Sequence, residues 1–477
     1  MSGSPLPYSV DAMPSIDPRI FRAYDIRGRA GEQLTEEAAE LIGRGFGSVL
    51  RERTGKDHPT VVVGRDARTH GPGLERAVTK GLTDAGCAVL LMGQTPSPVN
   101  YFTICTRGLD GGVQVTASHN PAHDNGLKLQ TADAEAHAGD DLQVLRQRIE
   151  RQEFASGEGS TEEIDALGPY LEYIETLFHG VGEGLNVVID AGNGVAGPAY
   201  SEALKRIGCT LTELFTEPDG TFPNHPADPS KHDTLRDLQA AVQREGADIG
   251  LAFDGDGDRL GIVDETGAVR TADETILLLA RDHLSRHPGL PVIFTVSNSG
   301  ALETEIAKWG GVPVMCKVGH SFVEHAMREH DALLGGEQSG HFFCGEDYFH
   351  FDDALVAALR VLSILQTAKR REQQTTFSSL FQDFPRVYQA PERRPHCPDD
   401  RKTAIVAAVA EAFAKTHPVN LLDGARVDFG DGAWAGIRQS NTSPCLSICI
   451  EARSSQKLKE VEQVVLAEFQ KYPEVEI

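Results

Sequence analysis

Positive charge is what this chain has least to spare. It carries 45 lysines and arginines against 70 aspartates and glutamates, a formal net charge of −25 over 477 residues. A field of that sign repels nucleic acid and anionic membranes, so neither is expected as a partner. Long apolar runs are missing too: hydrophobic residues make up 40% of the chain, but no stretch reaches the roughly 18 residues of a bilayer-crossing helix. The eight cysteines are scattered singly, without metal-ligand spacing. Cys445 and Cys449 fall four apart on one face of a strand-like run and read as buried thiols. The opening Met1-Ser2-Gly3-Ser4-Pro5 lacks the basic segment and apolar core of a secretory signal. These absences suit a soluble protein of a reducing cytoplasm. A Walker A loop is absent as well, since Gly55-Lys56 is followed by Asp57 rather than Ser or Thr.

What is present falls into short motifs on turns. Thr116-Ala117-Ser118-His119-Asn120-Pro121 follows the apolar run Gly111–Val115, which has the length of a buried strand. Pro121 favours a helix start or a sharp turn, so Ser118, His119 and Asn120 should be presented together on a loop. A hydroxyl beside an imidazole there suits a nucleophile or phosphoryl carrier, or else a helix cap. A second motif, Asp254-Gly255-Asp256-Gly257-Asp258-Arg259, lies between two strand-like runs. Three carboxylates on alternate residues, with glycines that let the backbone curl, can converge on a hard cation such as Mg²⁺. Asp254, Asp256, Asp258 and Glu265 also match EF-hand spacing. However, Arg259 stands where that loop needs glycine, and the flanks are strands.

A chain of this length should divide into three or four domains. Residues up to about Pro14 read as a loose tail. Thr35 caps a helix with the stripe Leu41, Ile42, Phe46 and Val49. The strand that runs from Pro59 into a turn at Asp66 and the strand Cys87–Met92 alternate with helices, which implies βαβ units and a largely parallel sheet. A Gly/Ser/Glu-rich run, 152–163, reads as a boundary. The pattern then restarts at Leu185–Asp190 and again at Leu290–Val296, each strand ending in a small-residue turn. Gly192-Asn193-Gly194-Val195-Ala196-Gly197 fits G-x-G-x-x-G, with Glu217 downstream, and raises a nicotinamide-dependent oxidoreductase as a second functional class. Asp190 beside the pyrophosphate site and the lack of a hydride-transfer site count against it.

Further along, Gly336-Glu337-Gln338-Ser339-Gly340-His341 suits a polyol, with acceptors for sugar hydroxyls and an imidazole for proton transfer. The helix after Asp353 has the buried stripe Leu355, Ala358, Leu359, Leu362 and Ile364. Residues 369–400 read as a linker into a smaller domain. There Arg438-Gln439-Ser440-Asn441-Thr442-Ser443-Pro444 forms a natural phosphate cradle. An acidic protein that handles phosphates needs a local cationic cluster. Arg22, Arg27, Arg29, Lys128, Arg259, Lys317 and Arg438 are its candidates, most of them beside small-residue turns.

Taken in order, the serine, aspartate, sugar and arginine motifs resemble the α-D-phosphohexomutase family, most closely its bacterial phosphomannomutase/phosphoglucomutase branch. The likeness runs from Phe21 past Glu451. It implies three related mixed-sheet α/β domains and a smaller α+β C-terminal domain around a central cleft. The expected division is 1–14 tail, 15–160 serine domain, 161–268 metal domain, 269–375 sugar domain and 376–477 phosphate-binding domain. By that resemblance Ser118 carries a phosphoryl group and, with Asp254, Asp256 and Asp258, holds Mg²⁺. Arg27, His119, Lys128, Arg259 and His341 would serve catalysis, with proton transfer falling to His341 or His119. Tyr24, His320, Glu337, Ser339, Arg438, Ser440, Asn441 and Thr442 would bind substrate. The implied reaction moves a phosphoryl group between O1 and O6 of a mannose or glucose phosphate through a hexose 1,6-bisphosphate. The implied partners are sugar phosphates, and the protein is a monomer or homodimer.

Two positions depart from the branch. Ser297 stands where a substrate-contacting lysine is usual, and Gln338 replaces Met, as in phosphoglucosamine mutases. The Ser-Asn-Thr of the C-terminal turn matches the mannose/glucose branch, which leaves phosphoglucosamine mutase as the alternative.

Overall fold

Short runs rich in Val, Ile and Leu alternate with amphipathic helices, and in the computed structural model they assemble into four sheets. Residues 16–440 and 444–476 are described. The expected N-terminal tail therefore lies outside the described residues, as do Asn441 and Thr442.

The first sheet orders its strands Ile26–Arg29, Asp124–Thr131, Gly111–Val115, Thr60–Arg65, Ala88–Gln94 and Ser160–Glu163. The last four run parallel, and Asp124–Thr131 returns antiparallel beside Gly111–Val115. The second centres on Asn186–Asp190 between its parallel neighbours Thr210–Leu214 and Ile249–Phe253, with Leu260–Asp264 antiparallel at the far side. The third has Pro291–Thr295 parallel to Val312–Cys316 and Leu334–Gly336, with Phe342–Cys344 antiparallel. The fourth is antiparallel throughout. Three mixed α/β sheets and a smaller α+β unit match the expected fold class.

One device recurs in the three α/β sheets. A strand with a parallel neighbour enters a loop, and the next strand returns antiparallel beside it. The pairs are Gly111–Val115 with Asp124–Thr131, Ile249–Phe253 with Leu260–Asp264, and Leu334–Gly336 with Phe342–Cys344. The intervening loops carry Ser118, the three aspartates and Glu337. The internal likeness thus lies in where each sheet presents its loop.

Local signals account for much of this. Thr35 caps the helix Glu36–Thr54 by accepting the Ala38 N–H, and acidic residues fill its first turn. Asp353 caps Ala354–Arg371 through the Val356 N–H. At two places the structure fills in what the sequence left open, and at a third an expectation changes. A strand, not a helix, follows Pro121 through the turn 121–123, so Ser118 and Asn120 have no helix to cap. The boundary-like run at 152–163 ends in the edge strand Ser160–Glu163. The linker-like stretch after 369 supplies Tyr388–Gln389 to the fourth sheet, and its Phe377 and Phe381 are buried in the main core.

That core is shared. Tyr101 and Phe102 of the first domain, Tyr170, Leu204 and Phe253 of the second, and Phe294, Phe351 and Leu359 of the third belong to one apolar cluster. The C-terminal domain instead closes its own core around Val409, Ile437, Ile448 and Phe469. It meets the third domain through polar contacts: Arg426 donates to the Asn298 carbonyl at 2.8 Å, and Glu451 accepts the Gly300 N–H at 3.0 Å.

Candidate active site

The serine loop and the aspartate loop meet. Ser118 Oγ donates to Asp254 Oδ2 at 2.5 Å, although 136 residues separate them. Ser118 is 1% exposed and has φ of +50°, a left-handed conformation that costs a non-glycine residue of order 1–3 kcal/mol. Its hydroxyl also lies 3.2 Å from His119 Nδ1. A Cβ at Gly255 would come within 2.5 Å of the Ser118 carbonyl oxygen, so the glycine is what admits the serine loop.

The second loop curls as its glycines allow. Asp254 Oδ1 accepts the backbone N–H groups of Gly257, Asp258 and Arg259, each at 3.1 Å, which turns the other two carboxylates inward. Lys128, on the strand Asp124–Thr131, sits against both: its Nζ is 2.7 Å from Asp256 Oδ2 and in contact with Asp258 Oδ2. Ser97 donates to Asp256 Oδ2 at 2.6 Å. All three aspartates are fully buried, and each offers an oxygen within 4.8 Å of the others. Asp256 Oδ1 and Asp258 Oδ1 have no hydrogen-bond partner among the described residues. Burial and the two neighbouring carboxylates push the Asp254 pKa well up. Burial opposes charge on Lys128, but Asp256 and Asp258 hold it charged. Two bare carboxylate oxygens thus remain in a buried cluster of three aspartates and one lysine. Such a hard, all-oxygen set fits a divalent cation of the Mg²⁺ type.

The third loop is tied to the second. Leu260 N–H donates to the Gly340 carbonyl at 3.0 Å, and Arg259 Nε donates to His341 Nε2 at 2.9 Å. Because an arginine can only donate, His341 Nε2 is the bare nitrogen, and Nδ1–H points to Asp352 Oδ2 at 2.7 Å. Burial, with Arg259 alongside and Asp258 pulling the other way, pushes His341 down to about 4, so it is neutral at pH 7. Burial also lowers His320 to about 4 and His119 well below its ordinary value. His320 stacks on His341 with centroids 5.6 Å apart, and Tyr24 meets His320 edge-on at 5.3 Å. Glu337 accepts the Gly319 N–H at 2.7 Å, and Ser339 is half-buried in the same turn.

Arg27 is paired with Asp25 at 2.6 Å and reaches the Ala117 carbonyl and Asn120 Oδ1, each at 3.2 Å. Arg29 turns outward to Glu32, away from this set. On the C-terminal turn, Arg438 keeps buried Nε and Nη1 groups without a hydrogen-bond partner among the described residues, with Asp423 only at 3.9 Å. Ser440 Oγ accepts from Arg394 at 3.1 Å, and the Ser440 carbonyl accepts from Lys402 at 2.8 Å. Sequence reasoning had missed Arg394 and Lys402, as it had Asp352, Ser97 and Asp25.

The dinucleotide-like turn has a different use. A Cβ at Gly194 would lie 2.8 Å from the Asp254 carbonyl oxygen, and one at Gly197 would lie 2.0 Å from that of Thr216. Val195 N–H donates to the Gly255 carbonyl at 3.1 Å. These glycines admit protein backbone and buttress the aspartate loop, which accounts for the fingerprint without a pyrophosphate.

Family models place phosphoglucomutase/phosphomannomutase α/β/α domains I, II and III on residues 18–156, 168–267 and 271–388, and the family's C-terminal domain on 394–468. A phosphomannomutase/phosphoglucomutase of Pseudomonas aeruginosa is 42% identical over 452 residues, 94% of this chain and 95% of that protein. A phosphoglucomutase of Neisseria gonorrhoeae is 38% identical over 97% of this chain and 99% of its own. The crystal structure of a phosphoglucomutase/phosphomannomutase family protein from Burkholderia thailandensis superposes with a TM-score of 0.88 at 37% identity, covering 97% of this chain and all of that one. With all four domain models in order, and the serine and aspartate loops in contact, the chain belongs to the phosphoglucomutase/phosphomannomutase family of α-D-phosphohexomutases.

Proposed function

We propose that the protein reversibly moves a phosphoryl group between O1 and O6 of a mannose or glucose phosphate, with Ser118 as carrier. The contact of Ser118 Oγ with Asp254 supports this reading best, because it places a nucleophilic oxygen against an oxygen-rich cation site. Asp254, Asp256, Asp258 and the serine oxygen would hold Mg²⁺, which when bound draws charge off the transferring phosphoryl group.

In the first half-reaction the P–O bond to Ser118 breaks, and one forms to the free hydroxyl of a hexose 1- or 6-phosphate. The product is a hexose 1,6-bisphosphate. The hydroxyl proton goes to His119, the neutral imidazole beside Ser118, while His341, held by Asp352 with Nε2 accepting from Arg259, fixes that guanidinium. His119 Nδ1, 3.2 Å from Ser118 Oγ, hands that same proton to the serine oxygen as it is released. The bisphosphate then reorients and returns its other phosphoryl group to Ser118, reversing both proton movements. A loose transition state leaves positioning and charge neutralisation as the main tasks, and Arg27, Lys128 and Arg259 supply the protein's share of the second. Glu337 and Ser339 take the sugar hydroxyls, beside Tyr24 and His320. Arg438, with Ser440, Asn441 and Thr442, holds the phosphate that is not reacting.

The test is a coupled assay on mannose, glucose and glucosamine phosphates, with Mg²⁺ and a trace of glucose 1,6-bisphosphate, on wild type and Ser118→Ala. Mannose and glucose phosphates should turn over fastest, and Ser118→Ala should be inactive. Wild-type-like turnover by that variant sinks the carrier role. A clear preference for glucosamine phosphate moves the assignment to the glucosamine branch.

A further inference from the structure

The serine loop is held from beneath by a group that lies outside the roles assigned above. Arg68 sits in the turn after the strand Thr60–Arg65 and is fully buried, side chain included. Its guanidinium has five N–H donors, and all five are engaged. Nε meets Asp66 Oδ2 at 3.0 Å. Nη1 reaches the carbonyls of Pro121 at 2.7 Å and Asp124 at 2.9 Å. Nη2 reaches those of Ser118 at 2.7 Å and Asn120 at 2.6 Å. Asp66 also accepts from Thr116 Oγ1 at 2.7 Å, and Thr116 Oγ1 in turn accepts the Ser118 N–H at 2.8 Å. Both polar groups of the Ser118 backbone are therefore held by one buried assembly.

We propose that Arg68 is a positioning residue for phosphoryl transfer: with Asp66 and Thr116 it locks Ser118 in its left-handed conformation, so that Oγ faces the aspartate loop. The inference rests on the carrier role of Ser118. Its logic is geometric. A left-handed serine relaxes unless its surroundings fix both adjoining peptides. Arg68 holds the carbonyl side, and Thr116 holds the amide side. The same carbonyl lies against Gly255, so its direction also sets how the two loops seat. The brace reaches the second domain as well. The Phe222 ring stacks 5.2 Å from the Arg68 guanidinium, and a Cβ at Gly220 would lie 2.3 Å from the Ala67 carbonyl oxygen. Lysine offers three donors from a single point and cannot span four carbonyls and a carboxylate.

The experiment compares wild type, Arg68→Lys and Thr116→Val as full-length, Mg²⁺-loaded proteins. Glucose 1,6-bisphosphate is added to dephosphorylated protein, and Ser118 phosphorylation is followed by quenched-flow intact mass. Mn²⁺ and glucose 6-phosphate affinities come from titration, and every rate is scaled to the folded fraction. A misplacement of about 1 Å costs about 10²-fold in rate. Arg68→Lys should therefore slow phosphorylation by about 50-fold or more and Thr116→Val by about 10-fold. Both affinities should stay within about threefold, which general loosening of the site would not permit. If wild type is not phosphorylated at Ser118, the carrier reading itself fails. If wild type is phosphorylated and Arg68→Lys keeps pace, the brace alone is refuted. Should Arg68→Lys not fold, Thr116→Val decides, and a wild-type rate from it overturns the inference.

Discussion

Opposite deficits mark the two ends of the site. At the serine end, Asp256 Oδ1 and Asp258 Oδ1 are buried acceptors without a donor among the described residues. At the C-terminal end, Arg438 Nε and Nη1 are buried donors without a hydrogen-bond acceptor among the described residues. Folded proteins rarely leave such groups bare, since each costs about 1–3 kcal/mol. The sign of each deficit suits a ligand of the opposite charge, a cation at the first end and an anion at the second, as the proposed function requires. The two ends also differ in mounting. One apolar cluster runs through the first three domains, each of which also has a smaller cluster of its own, whereas the C-terminal domain's core stays within it and joins the third through polar contacts. Bonds are made and broken where the framework is continuous. In the proposed reaction, the phosphate that must be held whichever way the sugar lies falls to the separately packed part.

The sharpest way to break this contrast is to remove charge at the acidic end. Asp258→Asn should lower turnover by at least about 10²-fold and abolish Mn²⁺ binding in a titration. Chelation of the wild type should do the same, reversibly. A variant that binds Mn²⁺ normally would contradict the cation assignment. At the other end, Arg438→Ala should raise KM for the sugar phosphate about 10- to 100-fold, as expected for loss of one or two charge-assisted hydrogen bonds. Its kcat should fall far less, and steady-state kinetics separates the two. A variant whose kcat alone collapsed would place Arg438 with the chemistry instead. Lys128→Met should tighten Mn²⁺ binding about tenfold, since the ammonium competes with a cation for Asp256 and Asp258, while slowing turnover. Weaker Mn²⁺ binding would show that Lys128 shapes the cation site instead.

The smallest effect lies between the ends and concerns stability alone. Glu324, on the helix His320–His330, contacts Arg328, which in turn reaches the Asp133 carbonyl of the first domain at 2.8 Å. Burial, against the pull of Arg328, pushes Glu324 up to about 8. Unfolded, the same carboxyl titrates near about 4.3. Between those values the folded state keeps a proton that the unfolded state has lost. This contribution to stability is full below about 4.3, declines as pH rises and is gone above about 8. Melting temperatures of Glu324→Gln from pH 5 to 9 should show a flatter decline than wild type, with kcat unchanged. An identical slope would rule out this titration.

Much of the site could be read from local patterns because each loop announces itself locally. Alternating aspartates and glycines between strands can only curl their carboxylates together, and a strand ending before Thr116-Ala117-Ser118 can only present the serine on a loop. The Thr35 cap was legible for the same reason: a cap is a bond over three residues. The G-x-G-x-x-G turn shows the limit of such reading. Its glycines were visible, but what lies against Gly194 and Gly197 is the chain's own backbone, at Asp254 and at Thr216.

By itself the amino-acid order determined the strand-to-loop punctuation, the three acidic side chains on one curl, the serine-histidine pair and the arginine turn, all set by neighbours within a few residues. Tertiary structure alone decided that Asp352 orients His341, that Arg68 spends all five donors beneath Ser118, and that Asp254 lies against a hydroxyl 136 residues away. Those pairings depend on how sheets from different domains stack on a shared core. No local propensity encodes which loop ends will face each other once the apolar faces are buried.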